Sequence, residues 1–453
     1  MINNLAARTA PHSGCSSGLT LLQLVRDQRG VSLVLILSIL VLFGALGMVT
    51  HSLVTTDLHS SVLHQEAAQA LWAAEAGMEL TCRYLRWAIP PPGGTEPFVQ
   101  YEDVPVGSGT FTVTIDPDDN NPNTYLKAYT VTSVGQAGDA RRAIRVHLGM
   151  KTFGNYAYVT HSEGGIIWFV TGDVIEGPLH SNDRISIYSR PTFMGQVTSS
   201  ASSFRQGPYF NPDFREGYQL GVPPIQFPTF QDLVDNYWAV NTNPPKVVLD
   251  ARYSRHAKVK FHADGTLTYS VWHNTSSGKV YDVSPTTRPV SDLDGILFVR
   301  GDVRVSGVVN GQITIIATQL IKIIDDVRYA AASSNGQPLP GCDDLLGLIS
   351  AGDIVIADNA ANRSDVVIDA GILALGNSFT VQNYDQGSPR GYIHLWGSLA
   401  QKVRGPVGTF GWYGQTGYLK DYHYDSRFVD TPPPYYPSTG QYQIYSWQEV
   451  DPD

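Results

Sequence analysis

The feature that most constrains this chain is an uncharged, apolar stretch close to its start. It runs from Val31 to Val49, reads VSLVLILSILVLFGALGMV, and directly follows Arg29-Gly30. At about 1.5 Å per residue, a helix over this stretch is roughly 29 Å long, which matches the hydrocarbon core of a bilayer. We therefore expect a single membrane span over residues 31–49.

Charges beside the span predict its orientation. The first 30 residues contain Arg8, Arg26 and Arg29 but only one acid, Asp27. Positive charge favours the cytoplasmic side of a membrane. We expect these residues in the cytoplasm and the rest of the chain outside it, anchored first in the cytoplasmic (inner) membrane.

The helix is expected to continue well beyond the membrane. No proline interrupts residues 31–89, which we call the stem, so one unbroken helix is the simplest prediction. Side chains small enough to let another element pack closely on a helix occur in its second half, in the run Ala73, Ala74, Glu75, Ala76 and Gly77.

Residues 28–88 resemble the amino-terminal domain of PilX-type minor pilins and pseudopilins. The shared features are Arg29-Gly30 before the apolar stretch, the pair Gly44 and Gly47 late in it, and AAEAG at 73–77.

This resemblance implies processing and assembly. Residues 1–30 would be a prepilin-type leader, and a prepilin peptidase would cut between Gly30 and Val31. Val31 would then become a methylated N-terminus. The apolar helix would leave the membrane and enter a filament core beside other pilin subunits.

One position departs from the major pilins, which carry a glutamate at the fifth mature residue, where this chain has Leu35. A buried carboxylate without a partner costs several kcal/mol. In the family that partner is a neighbouring subunit's terminal amine. A subunit without the carboxylate suits a filament tip; the alternative is that PilX-like stems simply lack this residue.

A small antiparallel sheet is predicted over residues 95–150. Pro90-Pro91-Pro92 ends the helix, and alternating apolar and polar residues then predict strands at 109–115, 125–134 and 141–148. The sheet is expected to cover the small-residue face of the stem.

The first connection in this sheet is rich in oxygen donors. Asp116, Asp118 and Asn120 match the first three ligand spacings of an EF-hand loop. Asn121 and Lys127 replace the glycine and glutamate that such a loop requires, so a solvated turn is the preferred interpretation and a calcium site the alternative.

From residue 151 to 453 the chain reads as a large β-rich head. Short apolar runs with Gly-Asp at their edges recur at 169–187, 298–316 and 349–356. Such repeats are typical of stacked rungs in a β-solenoid (parallel β-helix), with a β-sandwich as the alternative. The fold class is therefore α+β followed by all-β.

Two parts of the head are expected to depart from the repeat. An insertion at about 200–290 contains a possible helix at 229–240 and a hairpin turning at Asp264-Gly265. An aromatic tail at 432–450 could cap the open end of the solenoid.

Residues 155–450 also resemble an uncharacterised domain found behind such stems. NYAYVTHSEG, GPLHSND, LLGLISAGDI and GYLKDYHYDSRF carry this resemblance. It supports the boundary between sheet and head and implies no reaction.

The positions of the cysteines allow one possible disulfide. Cys15 lies in the leader, whereas Cys82 and Cys342 lie in the exported part. A bond between them would pin the head to the stem in an oxidising compartment.

Composition and motifs argue against nucleic-acid binding and catalysis. The net charge is −10 and lysines and arginines do not cluster. No hydrolase, metalloprotease or nucleotide-binding motif occurs, so we expect no enzyme, metal or cofactor. Several acids and histidines fit turns or half-exposed strands better than a site: His180, Asp183, Asp302, Asp353, Asp369 and the run 421–425.

The sequence predicts a minor pilin or pseudopilin-like subunit of a type IV pilus or type II secretion-like filament. A head about 50 Å across would crowd its neighbours at every position, so we expect a tip or sparse subunit at the pilus or cell surface. Expected partners are prepilin peptidase, other pilins and a surface glycan or host ligand. The alternative is a membrane-anchored β-helix protein that binds or acts on polysaccharide.

Overall fold

The computed structural model describes residues 28–87, 92, 96–118, 128–231, 247–411 and 414–452. Within these residues the chain forms one long N-terminal helix followed by a large β-rich region. Most of the leader, Asn120 of the oxygen-rich turn, and residues 232–240 of the possible short helix lie outside the described residues.

Helix α1 spans Gln28–Trp87 and is 60 residues long. At 1.5 Å per residue this is about 90 Å. The side chains from Ser32 to Gln65 are exposed, and burial begins at Glu66. The helix therefore has a free first half and a packed second half.

The packed half lies on an antiparallel sheet, which we call the small sheet. The predicted strands are present, together with an earlier strand that the sequence did not indicate. The bounds are β1 (Phe98–Val106), β2 (Gly109–Pro117), β3 (Ala128–Ala137) and β4 (Ala140–Thr152).

The C-terminal tail completes this sheet, so the prediction that it caps the head is wrong. Strand β30 (Ser438–Val450) pairs antiparallel with β4. The Tyr442 hydroxyl also donates to the Leu85 carbonyl on the helix, 3.1 Å away. The reason is that β4 would otherwise be a 13-residue edge strand with unpaired backbone groups.

The head begins with very short strands. Their bounds are β5 (Tyr158–Ser162), β6 (Trp168–Phe169), β7 (Val174–Ile175), β8 (Leu179–Ser181), β9 (Ser186–Ile187), β10 (Thr192–Phe193), β11 (Val197–Ser199), β12 (Arg205–Gln206), β13 (Asp213–Phe214) and β14 (Tyr218–Leu220).

Longer strands follow. Their bounds are β15 (Val248–Ala251), β16 (Arg255–Phe261), β17 (Thr266–Thr275), β18 (Gly278–Pro289), β19 (Ile296–Gly301), β20 (Val303–Val309), β21 (Gln312–Ala317), β22 (Ile321–Tyr329), β23 (Leu345–Ser350), β24 (Ile354–Ile356), β25 (Val366–Ala374), β26 (Phe379–Val381), β27 (Pro389–Val403), β28 (Gly408–Gly411) and β29 (Gly414–Tyr424).

Most of these strands pair in parallel and in register. Strands β15, β19, β21, β23, β25 and β27 follow one another in one ladder. Strands β16, β20, β22, β24 and β26 form a second one. Residues in matching positions therefore stack in rows from strand to strand.

The chain enters this ladder in its middle. Strand β5 pairs with β8 on one side and with β27 on the other. From β5 the chain moves outward to β14. The next strands, β15 and β16, lie at the opposite end. From there the chain returns strand by strand to β27 and β29. Strand β29 also pairs with β7. We call the junctions β27–β5 and β29–β7 the seam.

The expected insertion at about 200–290 is therefore mostly part of the ladder. Strands β12, β13 and β14 pair in parallel with earlier strands, and β15 and β16 pair with later ones. Among the described strands of this segment, β17 and β18 depart from the parallel order, since they add antiparallel after the predicted turn at Asp264-Gly265. Strands of two or three residues are too short for an alternation of apolar and polar residues to be visible in the sequence.

Two apolar cores stabilise the head. The larger one lies between the ladders. The smaller one is a row on the outer side of the first ladder: Phe298, Ile316, Ile349, Leu373, Ala400 and Val159. The segment at 225–230 and the fully buried Tyr436 cover this row. The tail thus packs on the head before it joins the small sheet.

Candidate functional site

The first half of α1 presents the largest run of exposed apolar side chains in the described chain. Large apolar side chains from Leu33 to Met48 are 43–74% exposed, and Leu35 is 60% exposed. Among the described residues, this helix is the one long and apolar enough to cross a membrane by length and composition. It is compatible with a single-pass anchor.

Polar groups in this half are satisfied within the helix. The hydroxyls of Ser38, Thr50 and Thr55 donate to carbonyls one turn earlier, at 2.8, 3.0 and 2.9 Å. Such bonds let a hydroxyl enter apolar surroundings without an unpaired donor. The surface therefore suits lipid or the apolar face of another helix.

The proposed processing site lies at the beginning of α1. Gly30 and Val31 belong to the first helical turns, four residues or more before Leu35. The helix continues through this position, so cleavage would leave Val31 as the first residue of the helix.

The small-residue run divides between two faces. Ala73, Ala74 and Gly77 are buried against the small sheet, Ala76 is partly buried, and Glu75 is exposed. A Cβ atom on Gly77 would lie 2.5 Å from Ser133 Oγ. The run therefore joins the stem to the small sheet.

Cys82 and Cys342 do not form a disulfide in the structure. Cys82 packs at the core between stem and small sheet, whereas Cys342 is buried in the head, where its Sγ lies 3.7 Å from Asp344 Oδ2. The disulfide considered from the sequence is therefore absent here, because the two thiols belong to different cores.

The oxygen-rich turn gives no metal site within the described residues. Asp116 lies in β2 opposite Thr130, and the Asp118 amide donates to the Ala128 carbonyl at 2.9 Å. Across the described chain, no three His, Cys, Asp or Glu side chains are grouped to hold a metal.

His180 and Asp183 have structural partners. His180 is buried; its Nε2 donates to Asn182 Oδ1 at 2.7 Å, and burial lowers its pKa. Asp183 Oδ2 accepts from the Glu163 amide at 3.0 Å and Oδ1 from the Arg184 amide at 2.7 Å. These contacts hold the two side chains in place, His180 within β8 and Asp183 in the turn that follows it.

The three aspartates Asp302, Asp353 and Asp369 differ in their surroundings. Asp302 is exposed, and Asp353 accepts from the Ser378 amide at 2.8 Å. Both lie between strands, as the Gly-Asp context predicts. Asp369 is fully buried within β25, next to Trp396 in the ladder.

Sequence reasoning missed a row of alternating acids and imidazoles at the seam. His394 Nδ1 donates to Asp421 Oδ2 at 2.6 Å, and His423 Nε2 lies 2.9 Å from Asp421 Oδ1. His423 Nδ1 lies 2.8 Å from Glu176 Oε2. The ring of His423 also stacks on Trp396, with centroids 4.3 Å apart.

This row of polar side chains connects β27, β29 and the residue that follows β7 at the seam. Burial alone would lower the pKa of His423, but the nearby carboxylates of Asp421 and Glu176 outweigh burial and raise that pKa. The proximity of His423 also lowers the pKa of Asp421. The only sequence signal was the pattern Asp421-Tyr422-His423, since the remaining members come from distant strands.

Asp369 gives a pH-dependent prediction. Its Oδ2 accepts from the Tyr329 amide at 2.7 Å, while Oδ1 has no partner among the described residues. Burial raises its pKa to about 8. Because the unfolded carboxyl has a pKa near 3.9, the unfolded state releases this proton first, and the free energy of unfolding falls as pH rises from about 4 to about 8.

We therefore expect Asp369→Asn to stabilise the protein at pH 8 by up to roughly 5 kcal/mol, at about 1.4 kcal/mol per pKa unit. At pH 4 the variant and the parent should unfold alike. Thermal unfolding at pH 4, 6 and 8 measures this difference, with the exposed Asp302→Asn as the matched control. Equal unfolding of Asp369→Asn and the parent at pH 8 would contradict it.

Comparison with known proteins gives limited matches. A family model described as "Domain of unknown function (DUF4900)" matches residues 124–202. The chain is similar to the competence-associated pilin ComZ from Thermus thermophilus, at 12% identity and a TM-score of 0.28, over 85% of this chain and 97% of that one. A TM-score this low carries no argument. No curated protein matches this chain.

Proposed function

We propose that this chain is a minor pilin or pseudopilin-like subunit, a non-enzymatic component of a type IV pilus or type II secretion-like filament. One observation carries the proposal. The exposed apolar surface of α1 extends past the membrane span: Leu53, Val54, Leu58, Val62 and Leu63 are 45–62% exposed.

An ordinary anchor does not need this surface. Residues 31–49 already match the bilayer core of about 30 Å, so the later side chains stand outside lipid. Val54, Leu58 and Val62 are spaced by four residues and fall on one helical face. Apolar side chains on one face of a long helix fit the helices of other subunits in a bundle.

The remaining parts of the proposal follow from this one. A prepilin peptidase would cut between Gly30 and Val31 and release the helix from its leader. Leu35 would leave the subunit without the usual contact to a neighbour above it, which supports a tip or sparse position. The head would be displayed outside the cytoplasm at the pilus or cell surface.

We propose further that the head coils as a β-solenoid. Its support is the parallel pairing of successive strands in two ladders, whereas the strands of a β-sandwich pair antiparallel. A rigid coil of this kind is a suitable platform for an adhesive or binding surface.

Filament incorporation tests the proposal. In the native host, the chain should sediment with sheared filaments, and its mature form should begin at Val31. Leu58→Gln should remain in membranes but fall about tenfold or more in the filament fraction, because burying one leucine contributes about 1.5–3 kcal/mol. His59→Gln, on a polar exposed neighbour, is the matched control.

Two results would contradict this function. One is a protein that begins at Met1 and never sediments with filaments, which would favour a permanent anchor. The other is equal incorporation of Leu58→Gln and His59→Gln, which would remove the role of the exposed apolar face.

A further inference from the structure

An open cleft lies at the seam of the head and has a volume of about 1260 Å³. Both arms of the ladder contribute to it. Side chains before β10 form one side, and side chains after β26 form the other; they include Trp168, Asp173, Tyr188, Arg404, Phe410 and Lys420. The cleft is larger than the roughly 300–1,000 Å³ usual for small-molecule pockets, so it has room for an oligomer.

Aromatic rings from both sides of the cleft meet in one continuous wall. The Trp168 and Tyr188 ring centroids are 6.0 Å apart, and Tyr188 and Phe410 are 5.7 Å apart, both in edge-to-face contact. Phe410 is 45% exposed. Rings that pack on one another hold a continuous, rigid apolar surface at low entropic cost.

The floor of the cleft is polar but balanced in charge. Lys420 Nζ contacts Asp173 Oδ2 at 2.8 Å, and Arg404 Nη1 contacts Glu163 Oε2 at 2.8 Å. Each cation already has a carboxylate partner. An ionic ligand would therefore have to break a buried pair, which is costly, so the cleft favours an uncharged ligand.

One acceptor on the floor remains without a partner. Asp173 is 1% exposed, and its Oδ2 is taken by Lys420 and by the Val170 amide at 3.0 Å. Its Oδ1 has no hydrogen-bond donor among the described residues. Buried oxygens are almost always hydrogen-bonded, so this cleft-lining carboxylate would gain its missing bond if a ligand hydroxyl reached Oδ1.

We propose that this cleft binds a neutral oligosaccharide. A sugar ring combines an apolar C–H face, which rests on aromatic rings, with hydroxyls, which donate to a carboxylate oxygen. Trp168, Tyr188 and Phe410 supply the first surface, and Asp173 supplies the second. This proposal goes beyond the pilin function, since the stem has no part in it.

Calorimetry with the full chain tests the proposal. The protein is kept in a zwitterionic detergent, because alkyl glycosides would compete for the cleft. The probes are malto-, cello- and chitohexaose as neutral oligosaccharides and hexagalacturonic acid as a charged one. At least one neutral hexasaccharide should bind, and the acidic one should bind at least tenfold more weakly.

Two variants locate the binding. Phe410→Ala should weaken the dissociation constant about tenfold, the effect expected of a central aromatic contact. Tyr253→Ala, 81% exposed and outside the cleft, should not change it. Thermal unfolding of Phe410→Ala checks that the head stays folded, so that weaker binding reports the loss of the ring.

The proposal is overturned if no neutral hexasaccharide binds, if the acidic one binds equally well, or if Phe410→Ala binds like Tyr253→Ala. None of these results depends on filament incorporation, so this inference and the pilin function can fail separately.

Discussion

Replacing Gly135 with alanine is expected to separate the stem from the small sheet. Gly135 lies in β3, and a Cβ atom there would overlap the Ala70 carbonyl oxygen and lie 2.6 Å from the Ala74 amide nitrogen. Both obstacles are helix backbone and cannot rotate away. Overpacking usually costs about 1–3 kcal/mol, and we expect this change to reach or exceed the upper value.

Thermal unfolding followed by circular dichroism measures this loss. Hydrogen exchange should show faster exchange of α1 amides after Glu66, while the head ladders stay protected. Gly411→Ala is the matched control, because a Cβ atom there meets nothing within 4 Å. If Gly135→Ala unfolded at the same temperature as Gly411→Ala, the close contact between helix and sheet would be wrong.

Replacing Arg404 with leucine is expected to destabilise the head by about 3–5 kcal/mol, the usual cost of breaking a buried ion pair. Arg404 and Glu163 are 1% and 2% exposed, and they join the two arms of the ladder across the seam. The guanidinium also lies 3.8 Å from the centre of the Phe169 ring. The leucine would leave Glu163 charged, buried and without its cation.

A double-mutant cycle separates this charge effect from lost packing. Glu163→Gln in the Arg404→Leu background should recover part of the stability, because the amide can still bond the Thr160 and Ser181 hydroxyls, now 2.5 and 2.9 Å from Glu163 Oε1. Chemical denaturation of the four proteins gives the coupling energy. Additive effects, or a loss below about 1 kcal/mol for Arg404→Leu, would contradict the role of this pair.

The stem and the small sheet are the parts that local pattern could predict. A helix of 60 residues follows from an apolar run, an alanine-rich half and the absence of proline from residues 31–89. Buried and less buried residues alternate along β2 and β3, and in β4 from Ile144 to Leu148, because one face of the sheet lies on the helix. Strand β1 was missed, since its alternation is interrupted by bulges near Tyr101.

The order of the head could not be predicted, because it depends on contacts between distant residues. Strands such as β7 and β10 contain two residues each, and such strands show no periodicity. The row of His394, Asp421, His423 and Glu176 forms only because β29 pairs with β27 and with β7. The aromatic wall and the floor of the cleft likewise meet only at the seam.

The position of the head within the small sheet has a mechanical consequence. Thr152 at the end of β4 is the pairing partner of Ser438 at the beginning of β30. The head is thus suspended from two adjacent strands, about 4.8 Å apart, and not from a single flexible tether. A load on the head reaches the sheet along both strands at once. Any domain whose two ends lie this close together could replace the present head, so the same stem and small sheet could carry different domains.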